Sequence, residues 1–288
     1  MVDSVGTQEA GFQMRSNYDV SDFQKLMQFL CGPNGCPWDS EQTHESIKRN
    51  LLEEAYEAAE AIDNNDTDGL IEELGDVLMQ VIFHADMADR AGKFDLDKIA
   101  DVACKKLIRR HPHVFGEVRA NDGSESLAFW DDIKRKEKLH DTTCDAMKSV
   151  ARNLPQLWRA EKIQKKAAKV GFDWPTYEGA LESLQDELEE LKNAIRQANG
   201  CGTVKDGKDH KASTHEAIQE EFGDLLFSAV NLARFFDIDP EQALSSTNDK
   251  FMARFGRLET AVMAQGKNLG DMTLDEMEFI YQQVKLEE

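Results

Sequence analysis

Apolar residues return every three to four positions through most of the chain, which is the period of a helix with one buried side. In 21–32, Phe23, Leu26, Met27 and Leu30 share a stripe, with Ser21 as the expected cap and Gly32 as the stop. A loop with two glycines and two prolines, GPNGCPWD, precedes a second helix over 43–63. That helix sets Ile47, Leu51, Ala55, Ala58 and Ile62 on one side, with Thr43 as its expected cap. A third helix, 67–92, aligns Leu70, Leu74, Val77, Leu78, Val81 and Ala85 and ends at Gly92; a fourth, 95–110, stops before Pro112. Further helical patterns cover 155–170, 177–197, 215–236, 240–263 and 274–288, with a Gly- and Lys-rich loop at 199–213. No alternating segment is long enough for a strand, so the fold class is all-α.

The pattern repeats. EELGDVLMQVIFHA at 72–85 lies over EEFGDLLFSAVNLA at 220–233. With that anchor, Glu54 and Glu57 fall on Glu187 and Glu190, and Lys106 and Arg110 fall on Lys250 and Arg254. Both lysines stand eleven residues past an aspartate, Asp95 or Asp239. The expected organisation is a tandem pair of four-helix bundles over 18–115 and 151–288, joined by a linker over 116–150 and preceded by a disordered tail over 1–17.

Composition narrows the chemistry. Of 288 residues, 55 are Asp or Glu and 34 are Lys or Arg, a formal charge of -21, which repels a nucleic-acid backbone. No apolar run reaches the roughly 18 residues of a membrane span. Five cysteines at spacings that fit neither a zinc framework nor CxxC point to reduced thiols and a cytoplasmic location.

The repeated acid calls for a positive partner. Glu54 and Glu57, and Glu73 and Asp76, are pairs at i, i+3, as are Glu187 and Glu190, and Glu221 and Asp224, so each pair shares a helix face. Carboxylates facing one another inside a bundle repel strongly. An all-oxygen donor set without His or Cys suits a hard cation, Mg²⁺ with Mn²⁺ as a substitute. A di-iron bundle requires Glu-x-x-His, whereas the partner here is aspartate, and His84 is about a turn out of register and read as packing or hydrogen bonding. Ordinary solvated surface charge is the competing interpretation. Lys250 and Arg254, at i, i+4, present a two-pronged cationic face suited to a polyphosphate. Trp38 and Trp174 are expected to seal bundle ends, and His111 and His113 to make local hydrogen bonds. An interaction scaffold built on helical repeats is the alternative from a different functional class.

NGCPWDSEQTHESI, LLEEAYEAAEAID, EELGDVLMQVIFHA, KLIRRHPHVFG and KIQKKAAKVGFDW together closely resemble MazG, the all-α nucleoside triphosphate pyrophosphohydrolase family, in its two-copy form. The resemblance runs from about residue 20 to the C-terminus. It implies Mg²⁺-dependent cleavage of nucleoside triphosphates to monophosphate and pyrophosphate, with broad base tolerance, in a homodimer. In two-copy relatives the second copy is credited with activity. The resemblance therefore makes Glu187, Glu190, Glu221 and Asp224 the catalytic metal ligands, Lys250 and Arg254 the phosphate holders and Tyr281 the contact to the nucleobase. Ser183 and Ala217 stand where some relatives carry lysine, for which Lys205, Lys208 and Lys211 of the 199–213 loop are candidate replacements. Whether the first copy, with Glu54, Glu57, Glu73, Asp76, Lys106 and Arg110, is active or structural is open at this level.

Overall fold

A computed structural model describes residues 12–116, 142–200 and 208–286 together with positions 119, 122, 123, 125, 126, 129, 130, 133 and 137, the backbone alone at 199–200 and 208–213. The chain forms two compact units, Met1–Lys138 and Leu139–Glu288. The expected 116–150 linker is thus shared between them. Most of the expected 1–17 tail lies outside the described residues, but Arg15 is described and pairs with Asp22 at 3.1 Å.

In the first unit the helices are α1 (Val20–Leu30), α2 (Pro37–Ser40), α3 (Lys48–Asp63), α4 (Thr67–Arg90), α5 (Leu96–Arg110) and α6 (Pro112–Phe115). Asp19, and not Ser21, caps α1: its carboxylate accepts from the Asp22 amide while the Asp22 carboxylate accepts from the Asp19 amide. Thr43 caps only a turn, accepting from the Ser46 amide, and α3 starts later with Ile47 as its N-cap. Three residues join α3 to α4, so the two run antiparallel and pack along each other. Gly92, with φ +66°, takes the left-handed turn that ends α4. α1 and α5 pack on α4. The core between them is Met27, Cys31, Ile47, Ile82, Phe83 and Met87. Burial, reinforced by the Asp86 charge, pushes the Cys31 thiol up to about 12, so it behaves as a small apolar side chain.

In the second unit α7 (Thr143–Lys148) leads to α8 (Gln156–Ala168), α9 (Tyr177–Gly200), α10 (Lys208–Arg234), α11 (Pro240–Ala264) and α12 (Leu274–Leu286). The pair α9 and α10 repeats α3 and α4, and α11 repeats α5. The repeat extends to the caps: Asp95 accepts from the Lys98 amide at α5, and Asp239 accepts from the Glu241 and Gln242 amides at α11. α8 packs on α10 and α11, and α12 on α11. Ala180, Leu191, Val230, Leu258, Val262 and Val284 are buried. α10 begins at Lys208, so the helix takes in part of the expected 199–213 loop, including the backbone of Lys208 and Lys211; Lys205 lies outside the described residues.

Candidate functional site

The acidic helix pairs converge in both units. On α9 and α10, one carboxylate oxygen from each of Glu187, Glu221 and Asp224 lies within 4.8 Å of the others. Glu190 is not within that triad, yet its charge acts on both Glu187 and Glu221. On α3 and α4 the corresponding triad is Glu54, Glu57 and Glu73, with Asp76 outside it but acting on Glu54 and Glu73. The fourth member therefore differs between units: an aspartate stands apart in one and a glutamate in the other.

The electrostatics are those of negative groups pressed together. Partial burial and then neighbouring carboxylates raise Glu187, Glu221, Glu54 and Glu73 above the usual carboxylate range. Among the described residues, the charges that move these four groups are all carboxylates. Glu187 and Glu221 are half-buried while Asp224 and Glu190 are exposed, so the set sits at the rim of the helix pair with one side open. A donor set of carboxylate oxygens, mutually repelling and open on one side, fits a hard divalent cation.

The remaining expected positions are distributed around α11. Lys250 is exposed and Arg254 half-buried, one turn apart on that helix. Tyr281, on α12, is half-buried with its ring 6.1 Å from that of Phe251, the residue after Lys250. Ser183 places its hydroxyl 3.5 Å from that of Ser228, one turn from Glu187 and Asp224 on α9 and α10. α11 is anchored to α8 at its start, where the Trp158 indole N–H donates to the Asp239 carboxylate at 2.8 Å and the Leu157 amide donates to Glu241 at 3.2 Å.

Trp38 and Trp174 do not seal the bundle ends as expected. Trp38 is 60% exposed. Trp174 is 45% exposed and its ring lies against the start of α9, where a Cβ on Gly179 would come within 2.8 Å of it. His111 makes the expected local bond, from Nδ1 to the Leu107 carbonyl at 2.6 Å. His84 bonds His44, Nδ1 to Nδ1 at 2.8 Å with the rings stacked, a pair that requires at least one neutral imidazole. Sequence reasoning also missed Glu137, which draws both Arg109 and Arg110 onto its carboxylate. Only its place in a charged stretch, KRKEK, hinted at a partner.

Comparison with known proteins matches both halves. Residues 42–115 and 175–256 fit the model of the MazG nucleotide pyrophosphohydrolase domain. The chain is 43% identical over 264 residues to the nucleoside triphosphate pyrophosphohydrolase of Escherichia coli, covering 91% of this chain and 95% of the relative. It is 40% identical over 260 residues to the nucleoside triphosphate pyrophosphohydrolase/pyrophosphatase MazG of Thermotoga maritima, covering 90% and 93%. A third relative, the uncharacterised protein YabN of Bacillus subtilis, is 43% identical over 269 residues, 93% of this chain but 52% of that longer protein.

Proposed function

The chain belongs to the MazG nucleotide pyrophosphohydrolase family, and from that premise we propose that it hydrolyses nucleoside triphosphates at the α/β phosphate bridge. The products are the nucleoside monophosphate and pyrophosphate, base tolerance is broad, and Mg²⁺ is required, with Mn²⁺ as a substitute. The observation that carries the proposal is the convergence of Glu187, Glu221 and Asp224 within a stretch that fits the family model.

Glu187, Glu221 and Asp224, with Glu190 at the rim, would hold the cation. When bound, a divalent ion supplies Lewis acidity, drawing charge from phosphate oxygens and acidifying a coordinated water. Lys250 and Arg254 grip the polyphosphate and orient the bridge; Tyr281 offers its ring face to the base. Water attacks a phosphorus of the α/β bridge, its proton passes to a carboxylate of the set, and the bridging P–O bond breaks to release pyrophosphate. The cation would offset the mutual repulsion of the carboxylates that hold it, so the carboxylate that takes the proton is the member of the set least committed to the metal.

The proposal includes a homodimer. Leu181, Leu188 and Ile195 recur every seven residues along α9 and are 38%, 40% and 40% exposed. Phe222 and Leu226 on α10 are also uncovered, and a Cβ on Gly223 between them would meet nothing. Such a face on a helix pair is what a second copy would cover. A cytoplasmic location fits Cys31, Cys36, Cys104 and Cys144 as free thiols. The charge of -21 argues against a nucleic-acid partner, and no helix among the described residues is long and apolar enough to cross a membrane.

The test is incubation of the purified protein with each nucleoside triphosphate and Mg²⁺ while pyrophosphate is measured. Release that stops on chelation of the metal is the expected result. No pyrophosphate from any triphosphate, or full release by an Asp224→Ala protein, overturns the proposal.

A further inference from the structure

The seam between the two acidic helices ends differently in the two units. With Glu54 set on Glu187, His44 falls on Tyr177, inside the matching tripeptides THE and TYE; with EELGD set on EEFGD, His84 falls on Leu232. The second unit thus places a phenol and an alkyl chain there, neither of which titrates near neutral pH, and the Tyr177 ring lies 5.5 Å from that of Phe236. The first unit places two imidazoles there. Their Nδ1 atoms are 2.8 Å apart, a hydrogen-bond distance, with the ring centres 5.0 Å apart and the planes 17° from parallel. That centre separation is close to the largest the contact allows, so the two nitrogens point at one another with one proton between them.

His44 lies in the turn that Thr43 caps just before α3, and Ile47, three residues on, is buried in the core with Phe83, the neighbour of His84. The bond therefore ties the entry of α3 to α4, at the end of the seam opposite the 64–66 loop. Glu54 and Glu57 stand on one of these helices, Glu73 and Asp76 on the other. The charged groups along the pair's own segments are Glu41, Glu45, Lys48, Arg49 and Asp86; α1 carries Asp22 and Lys25, and α5 carries Asp97 and Lys98, both helices being packed on α4. Asp22 is paired with Arg15 at 3.1 Å, Arg49 with Glu53 at 2.6 Å, Asp86 with Arg90 at 2.8 Å and Lys98 with Asp101 at 3.6 Å. Burial and then the charge of His44 hold His84 below the ordinary imidazole range, and among the described residues no other charge moves it.

We propose that His44 and His84 form an acid-sensitive latch, peculiar to the first unit, that releases the start of α3 from α4 once both rings are charged. In the neutral pair one Nδ1–H donates to the other ring's Nδ1. A first added proton settles on Nε2 of the donor ring and leaves that bond intact. The next has only the accepting Nδ1 to take, and it sets two N–H groups and two positive charges face to face, which ends the bond. Because His84 is lowered in the fold, its contribution to stability is complete above the ordinary imidazole range and is lost as pH falls through that range toward the lowered value. Release parts the helix that carries Glu54 and Glu57 from the one that carries Glu73 and Asp76, while the second unit, with Tyr177 and Leu232 in these places, keeps its acidic pair together.

The full-length protein is taken from about pH 8 to about pH 5 without divalent ions, and amide hydrogen exchange is followed by mass spectrometry, corrected for the intrinsic pH dependence of exchange. Segments 44–52 and 80–88 are expected to exchange about tenfold faster or more at the acid end, the worth of one unit of imidazole shift. Segments 177–185 and 228–236 are the control within the same molecule, because the second unit has the same raised carboxylates without the imidazoles. The double variant His44→Tyr/His84→Leu, which carries the second unit's residues, should lose the difference between the units. Equal acceleration in both units, no acceleration in either, or a difference that survives the double variant overturns the proposal. Should that variant fold poorly, nitrogen NMR of the imidazoles in the unaltered chain decides: two separate titration steps, the more acidic one at His84, are expected, and one shared step in the ordinary imidazole range overturns the proposal. None of these readouts involves turnover, so their outcome is independent of the proposed hydrolysis.

Discussion

The two units share an acidic pattern, yet they surround it differently. Both bring three carboxylates together, but the second does so with Glu187, Glu221 and Asp224 and the first with Glu54, Glu57 and Glu73. Beyond the acids the units diverge further. In the first, the arginine at the end of α5 is closed over by Glu137 and Trp130. In the second, the start of α11 is bolted to α8 through Trp158 and Asp239. Duplication preserves the helix faces, and the segments outside the repeat then set what each copy can reach.

The comparison breaks most directly on the proposed metal ligands. Asp224→Ala is expected to lower pyrophosphate release at least about a hundredfold, since even groups that only support a metal ligand cost ~10–100-fold when removed. Asp76→Ala is expected to leave most turnover intact. Equal losses would mean that both units carry the reaction. Thermal melting sharpens the same contrast. Mg²⁺ at 100 times its dissociation constant adds about 2.7 kcal/mol to the unit that binds it. A large part of that gain should vanish in Glu187→Gln/Glu221→Gln and persist in Glu54→Gln/Glu73→Gln.

Lys250→Ala should raise KM about tenfold or more, the worth of one charge-assisted hydrogen bond, with Lys106→Ala changing it less than about twofold. The caps offer a smaller difference. Asp95→Ala should cost about 1 kcal/mol of unfolding free energy, and Asp239→Ala more, because Asp239 also accepts from Trp158.

The smallest effect is in pH. Glu221 is raised above its unfolded value, so its contribution to stability is full below the unfolded carboxylate range and is lost as pH rises through the raised value. Without divalent ions, Glu221→Gln should therefore melt slightly higher than the unaltered chain at pH 8, with the gain fading toward pH 4. Glu137 has the opposite sign: its arginines lower it to about 2, so what it stabilises is present at neutral pH and lost as pH falls toward that value.

Much of this was legible in the sequence because helical period and the repeated pentapeptide are local signals. The facing of Glu54 and Glu57 toward Glu73 follows from i, i+3 spacing on two adjacent helices. Which acid falls outside each triad does not, because it depends on how far each helix is rotated about its axis. Cap positions shifted for a similar reason: Asp19 and Ser21 are both competent caps, and reciprocal bonding with Asp22 favours the former. Periodicity marks apolar positions but not what covers them, so Ile62, in the expected stripe of α3, is 58% exposed. Glu137 was illegible because it meets Arg110 across 27 positions that bear no periodic relation to it.

The anchoring of α11 also has a mechanical side. Lys250 lies eleven residues beyond Asp239, about 16 Å along the helix that this contact fastens at its start. A rocking of about 5° there carries the ammonium group sideways by roughly 1.4 Å by the same geometry, and a displacement of about 1 Å can cost a reaction a hundredfold. With Lys250 holding phosphate as proposed, the indole that fastens the helix is a distant tuner of how well that lysine is aimed.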